Sequence, residues 1–263
     1  MPRFGFVGAS YKSQSLNADA QTTMNWYPEI DESQAGNAPI VMYPTPGLEE
    51  FAELVPVPLN QDLYTTSTGS DEHITTDSIG PAGPNEFAVF AAWANGASGG
   101  LTEGGSWTPI AAGTHNNPYA YGGFYQIASS ALAGDASASA SPIYGTQALL
   151  GLLGCTGVPA LVQQKLGQGV SSQNFDSPVT PGNAVILLIW FYGFSGALPF
   201  TAAPSDGGSD VFSLGASVEG GTNPVSQVMM YVARNSAGGF SDVDCNPSAS
   251  TAINMQILEV SGL

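Results

Sequence analysis

Few residues in this chain have both the types and the spacing that chemistry requires. Asp242, Asp244 and Asn246 stand at alternate positions in "DVDCN", the way a calcium loop opens. Pro247 occupies the place of the turn glycine, however, and no bidentate Glu follows. Asp206 and Asp210 flank Gly207 and Gly208 in "SDGGSDVF", where an Asp is an ordinary turn residue. The two histidines, His73 in "GSDEHITTD" and His115 in "GTHNNPY", have no Cys partner at zinc-site spacing. Both are read as solvated loop residues. No Gly-x-Ser-x-Gly elbow sits on a strand-turn-helix pattern, and no glycine-rich phosphate loop precedes a helix. The expectation is a protein without catalytic residues, without a metal and without a cofactor. Cys155 and Cys245 are too few for a disulfide scaffold and are each expected as a free buried thiol.

The aromatic residues offer a second kind of chemistry. Trp107, Tyr119 and Tyr121 crowd into "SWTPIAAGTHNNPYAYGGFY", as rings that stack on sugars do, and are the candidate glycan contacts. Packing inside a β-sandwich core is the competing reading of the same residues. Charge narrows the partners further. Four basic residues face 21 acidic ones, a formal charge of −17, which repels a phosphate backbone and argues against direct nucleic-acid binding. The longest apolar run, "AVILLIWFYGF" from position 184, is too short to span a bilayer as a helix, which takes roughly 20 residues. The start, "MPRFGFVGAS", lacks the apolar centre of a secretion signal. A soluble protein without membrane insertion is expected.

The elements that would position these residues are strands. Only 10% of residues are charged, with 33 Gly and 19 Pro, which suits an all-β chain rich in turns and not one with long, wet-faced helices. "NAVILLIWFYGF" is β-branched and aromatic without interruption, as a strand buried on both faces would be. From about position 80 the chain repeats itself: "GPNEFAVFAAW" at 83–93 matches "TPGNAVILLIW" at 180–190, with Trp93 and Trp190 97 positions apart. The stretch 122–141 resembles 225–250, and "TQALLGLLGCTG" at 146–157 parallels "TAINMQILEVSG" at 251–262. The predicted organisation is an extended arm over 1–70 followed by two tandem β-sandwich units of jelly-roll or Ig-like type, 71–160 and 161–263, each owning its core.

The arm itself carries a resemblance. "SQSLNAD" at 13–19, "NWYPE" at 25–29 and "YPTPGL" at 43–48 stand in the order of three elements that open tail-hub and related virion proteins of tailed bacteriophages. The later stretches 179–183, 231–239 and 259–263 are similar to repeated sandwich units of phage and bacterial surface proteins. This resemblance implies a virion structural protein, assembled in the host cytoplasm, oligomeric in the particle and docked to other virion proteins at the tail or head-tail junction. A capsid decoration protein and a carbohydrate-binding adhesion module for host surface glycans are the alternatives. The implied docking residues are Asn17, Asp19, Asn25, Trp26, Tyr27, Pro28, Tyr43, Pro46 and Phe51. A polar, Pro-punctuated arm buries little of itself, so single aromatics inserted into a neighbour would have to order it.

Overall fold

The computed structural model describes residues 26–30, 40–44, 62–80, 85–95, 100–110, 119–140, 142, 145–193, 203–220, 225–245 and 253–263. Every regular element among them is a β-strand, as the composition predicts. The chain divides into two compact units, 1–57 and 58–263. In the first, β1 (Trp26–Ile30) and β2 (Ile40–Pro44) form an antiparallel pair. Part of the predicted arm is therefore a hairpin.

Among the described residues the second unit holds sixteen strands in two runs of eight. The first run is β3 (Leu63–Gly69), β4 (His73–Thr75), β5 (Glu86–Asn95), β6 (Leu101–Glu103), β7 (Thr108–Ile110), β8 (Tyr119–Ala128), β9 (Asp135–Ala138) and β10 (Thr146–Leu153). The second is β11 (Ala160–Gln168), β12 (Ser172–Asn174), β13 (Ala184–Gly193), β14 (Ser205–Asp206), β15 (Ser213–Gly220), β16 (Val225–Ala233), β17 (Asp242–Asp244) and β18 (Ile253–Ser261). The first run pairs as β3-β10-β5-β8-β7 and β4-β9-β6, the second as β11-β18-β13-β16-β15 and β12-β17-β14. Each strand thus has its counterpart eight strands on. First pairs with eighth, second with seventh and third with sixth, the nested wrapping of a jelly roll, except that the fifth strand joins the sheet of the sixth. Leu63–Gly69 pairs with β10 along its length, so these residues, assigned from sequence to the arm, are instead the first strand of the first half.

The two tryptophans of the repeat occupy equivalent places. Trp93 on β5 pairs with Tyr121 and Gln147, and Trp190 on β13 with Val228 and Asn254. Both rings are fully buried. On the eighth strand Gln147 matches Asn254, two residues out from the alignment read in the sequence, and a shift of two leaves every side chain on its face.

Burial explains why the central strands lack polar alternation. All ten residues of β5 and all eight of β10 are buried. Ala88, Phe90 and Ala92 face the three-stranded sheet of their own half, with Ile74 and Ala136. Val185, Leu187 and Ile189 do the same with Val243 in the second half. The opposite faces meet each other: Phe87, Val89, Trp93 and Leu149 share one cluster with Ile186, Leu188, Trp190 and Val228. The layers therefore run three-stranded sheet, five-stranded sheet, five-stranded sheet, three-stranded sheet. Each half was expected to own its core, yet the central cluster is built from both.

Buried polar links cross that central layer. Trp190 Nε1 donates to the Ala92 carbonyl at 3.0 Å, and Ser226 Oγ donates to Gln147 Oε1 at 2.7 Å. Gln256 Nε2 donates to the Ile110 carbonyl, against Gly123. A β-carbon at Gly123 would lie 2.1 Å from Gln256 Oε1 and 2.9 Å from Leu188 Cδ1, so glycine sets how closely the sheets approach.

Candidate functional site

The residues singled out in the sequence scatter across the fold. Trp26, Tyr27 and Pro28 lie on β1 and Tyr43 on β2, in a register that sets Tyr27 opposite Tyr43 and Pro28 opposite Met42. The described parts of the second and third elements of the phage resemblance, Trp26–Glu29 and Tyr43–Pro44, thus pair with each other. Asn17, Asp19, Asn25, Pro46 and Phe51 lie outside the described residues.

The candidate glycan contacts belong to the core instead. Trp107 is 6% exposed, its ring centroid 5.5 Å from that of Phe90 and its Nε1 donating to the Ala133 carbonyl at 3.3 Å. Tyr121 is fully buried, 5.1 Å from the Trp190 ring. Tyr119 is half-buried, 5.7 Å from Trp93. Alternation along β8 turns both tyrosines toward the central layer. Tyr121, fully buried there, has no face left for a sugar, and Tyr119 is partly covered.

The acidic clusters act as turn and strand residues. Asp206 Oδ1 accepts from the Gly208 amide at 2.9 Å, and Asp210 Oδ1 from the Ala237 amide at 2.9 Å. Burial, and then the charges of Asp210 and Asp242, hold the Asp206 carboxyl above its usual range. Asp242 and Asp244 lie on β17 about the buried Val243, and Asn246 lies outside the described residues. Among the described residues no three His, Cys, Asp or Glu side chains converge as a metal site would need. The same arrangement recurs in both halves. A β-carbon at Gly104 or at Gly207 would fall 2.2 or 2.4 Å from the carboxyl group of Asp135 or Asp242, the first residue of the seventh strand. His73 sits on β4, not in a loop, with Nε2 2.7 Å from Asp135 Oδ1. His115 is outside the described residues.

Both cysteines are free. Cys245 is fully buried, its thiol pushed up to about 12 by burial and then by the Asp244 charge. Cys155 is only half-buried, which corrects the expectation of burial for it.

Three stretches of the surface-protein resemblance converge on one corner. Glu259 on β18 is fully buried; its Oε1 accepts from the Thr180 amide at 2.8 Å and from Asn183 Nδ2 at 2.6 Å, and its Oε2 from Gln163 Nε2 at 2.5 Å. Burial opposes this charge, but the donors of Thr180, Gln163 and Asn183 outweigh it and hold the carboxyl below its usual range. The Ser236 amide donates to the Asn183 carbonyl, and the Gly239 amide to that of Val179, both at 2.8 Å. Gly238, at φ 69°, passes so close to Pro181 that a β-carbon would stand 2.6 Å from its nitrogen. These motifs recognise each other. They clasp one turn to the last strand and a second turn to the first.

Sequence reasoning missed one concave region. Two clefts of about 420 and 580 Å³ share Val211 and Arg234; the first is also lined by Asp62, Tyr64 and Leu214, the second by Asp210 and Asn235. Val211 and Leu214 are exposed there. Asp62 and Arg234 form an ion pair across 172 positions of sequence, a separation that no local pattern signals. The other cation among the described residues, Lys165, pairs with Asp176 at 2.9 Å. Both described cations are thus neutralised within the chain. Compared with protein-family models, curated proteins and solved structures, the chain matches none.

Proposed function

We propose that this chain is a non-enzymatic structural protein of a tailed-bacteriophage virion, held at the tail or head-tail junction by its N-terminal unit. The observation that carries the reading is the β1–β2 hairpin. It pairs parts of two sequence elements that resemble those opening tail-hub proteins and lies in a unit separate from the body, 58–263. The body supports it: the motifs similar to phage and bacterial surface proteins hydrogen-bond to one another at one corner of the second half. The partners on this reading are other virion proteins and further copies of the chain.

The test is incorporation into particles. Deleting residues 1–57 should leave a soluble body that no longer co-purifies with virions, and Trp26→Ala with Tyr27→Ala should mimic the deletion without lowering the Tm of the free protein. Undiminished incorporation of the deleted chain would overturn the docking role. Density at the tail vertex in electron micrographs of labelled particles supports the tail or head-tail position, whereas density over the capsid faces makes the protein a decoration protein.

A further inference from the structure

The ion pair in the cleft belongs to a larger arrangement. Asp62 stands just before β3, Gly154 just after β10, and Arg234 just after β16. Asp62 Oδ1 accepts from the Gly154 amide at 3.1 Å and from Arg234 Nη2, while its Oδ2 accepts from the Tyr64 hydroxyl at 3.2 Å. Arg234 Nη1 turns to the Gly154 carbonyl at 3.0 Å. One carboxylate and one guanidinium therefore hold both backbone polar groups of the residue at which the first half ends. The far side of the same link is held as well, since the Thr156 and Gly157 amides donate to the Gly262 carbonyl at 2.8 and 3.1 Å.

We infer that Asp62 and Arg234 form a latch that pins the link between the two halves, residues 154–159, and that its release frees the link while both sheets stay folded. The physical basis is the difference between the two kinds of contact. The sheets are joined by a dry, fully buried cluster, whereas the Asp62 and Arg234 side chains remain 23% and 32% exposed. Regions with few buried apolar contacts and water-accessible hydrogen bonds open first. An ion pair that water reaches is also weakened by salt. The fork geometry matters: a lysine ammonium is a point charge and does not reproduce a guanidinium that bridges a carboxylate and a carbonyl at once.

The link contains its own reporter. Cys155 follows Gly154, is half-buried, and directs its thiol to the Leu153 carbonyl at 3.3 Å. Cys245, fully buried in the outer core of the second half, is the internal control. The experiment is alkylation of the native full-length chain by N-ethylmaleimide, an uncharged probe, with each site followed by peptide mass spectrometry. A latch predicts that Asp62→Ala and Arg234→Ala each speed Cys155 alkylation at least tenfold, that the double variant is no faster than the quicker single one, and that Cys245 is unchanged. Asp62→Asn, which keeps an acceptor for the Gly154 amide, should give a smaller rise, and Arg234→Lys should fail to restore the wild-type rate. The Arg234 variant discriminates, because charge alone acts the other way there. Burial raises the Cys155 pKa, Arg234 lowers it and Asp62 raises it. Without a latch, loss of Arg234 would slow the thiol and loss of Asp62 would speed it. A slowed or unchanged Cys155 in Arg234→Ala overturns the inference, as does an equal rise at Cys155 and Cys245, which would report global unfolding.

Discussion

Trp93 and Trp190 hold the same place in the two halves, yet their indole N–H groups differ. Trp190 Nε1 donates to the Ala92 carbonyl across the central layer. Trp93 Nε1 is buried without a hydrogen-bond partner among the described residues. A buried donor left unmade costs about 1–3 kcal/mol, and a neutral bond contributes about 1 kcal/mol net. Exchange to Phe removes the donor and leaves a similar void at both sites. The void is common to the two variants, so the difference between them reads the bond lost at Trp190 together with the unmet donor removed at Trp93. Trp190→Phe should be less stable than Trp93→Phe by about 2–4 kcal/mol in urea denaturation, and equal losses would mean that neither the Ala92 bond nor the unmet Trp93 donor affects stability. The repeat is legible in the sequence because both residues are large and fall 97 positions apart. Which indole finds a partner is not, since the acceptor lies on the other half.

At the level of elements, the corner built by 179–183, 231–239 and 259–263 shows what motif matching does and does not convey. The three stretches are recognisable one by one, but only the fold shows that 179–183 binds 259–263 through Glu259 and binds 231–239 through the Ser236 and Gly239 amides. Strand β18 thereby anchors the turn that launches β13. The folded carboxyl of Glu259 lies below its ordinary value, and the sign of the pH effect follows. Its contribution is fully present above the unfolded pKa of about 4.3 and is lost as the pH falls through the lowered folded value. Wild-type protein should therefore lose more stability between about pH 5 and 3 than Glu259→Gln does. At pH 7 the same variant should be less stable by about 1–3 kcal/mol, because its amide group turns a donor toward other donors. Parallel acid titrations of the two proteins, followed by near-ultraviolet circular dichroism, check both statements; identical acid slopes would show that Glu259 is not the group that titrates. The same limit explains the aromatic cluster. Type and proximity in sequence made Trp107, Tyr119 and Tyr121 resemble a sugar platform, but the strand alternation that turns two of them inward depends on which face the other half covers.

On the scale of the whole molecule, the layers decide how independent the halves can be. The continuous apolar runs of β5 and β13 announce burial on both faces, and nothing in them says that the second cover is the other half of the same chain. A half expressed alone, residues 58–157, keeps its outer core of Phe90, Phe124 and Leu150. It would expose Phe87, Val89, Trp93, Leu149 and Leu153, which now lie in the shared layer. Burying a side chain of this size contributes about 1.5–3 kcal/mol, so the five together represent on the order of 10 kcal/mol. A typical domain has a net stability of about 5–15 kcal/mol. The isolated half therefore should not persist as a monomer; it should associate through the bared sheet or aggregate. The intact body, 58–263, should by the same reasoning unfold in one transition, with calorimetric and van't Hoff enthalpies in agreement. Sedimentation of the 58–157 fragment and calorimetry of the body test the two sides of this expectation. A soluble monomeric half, or two resolved transitions in the body, would mean that each jelly roll stands alone and that the central layer is an interface between finished domains.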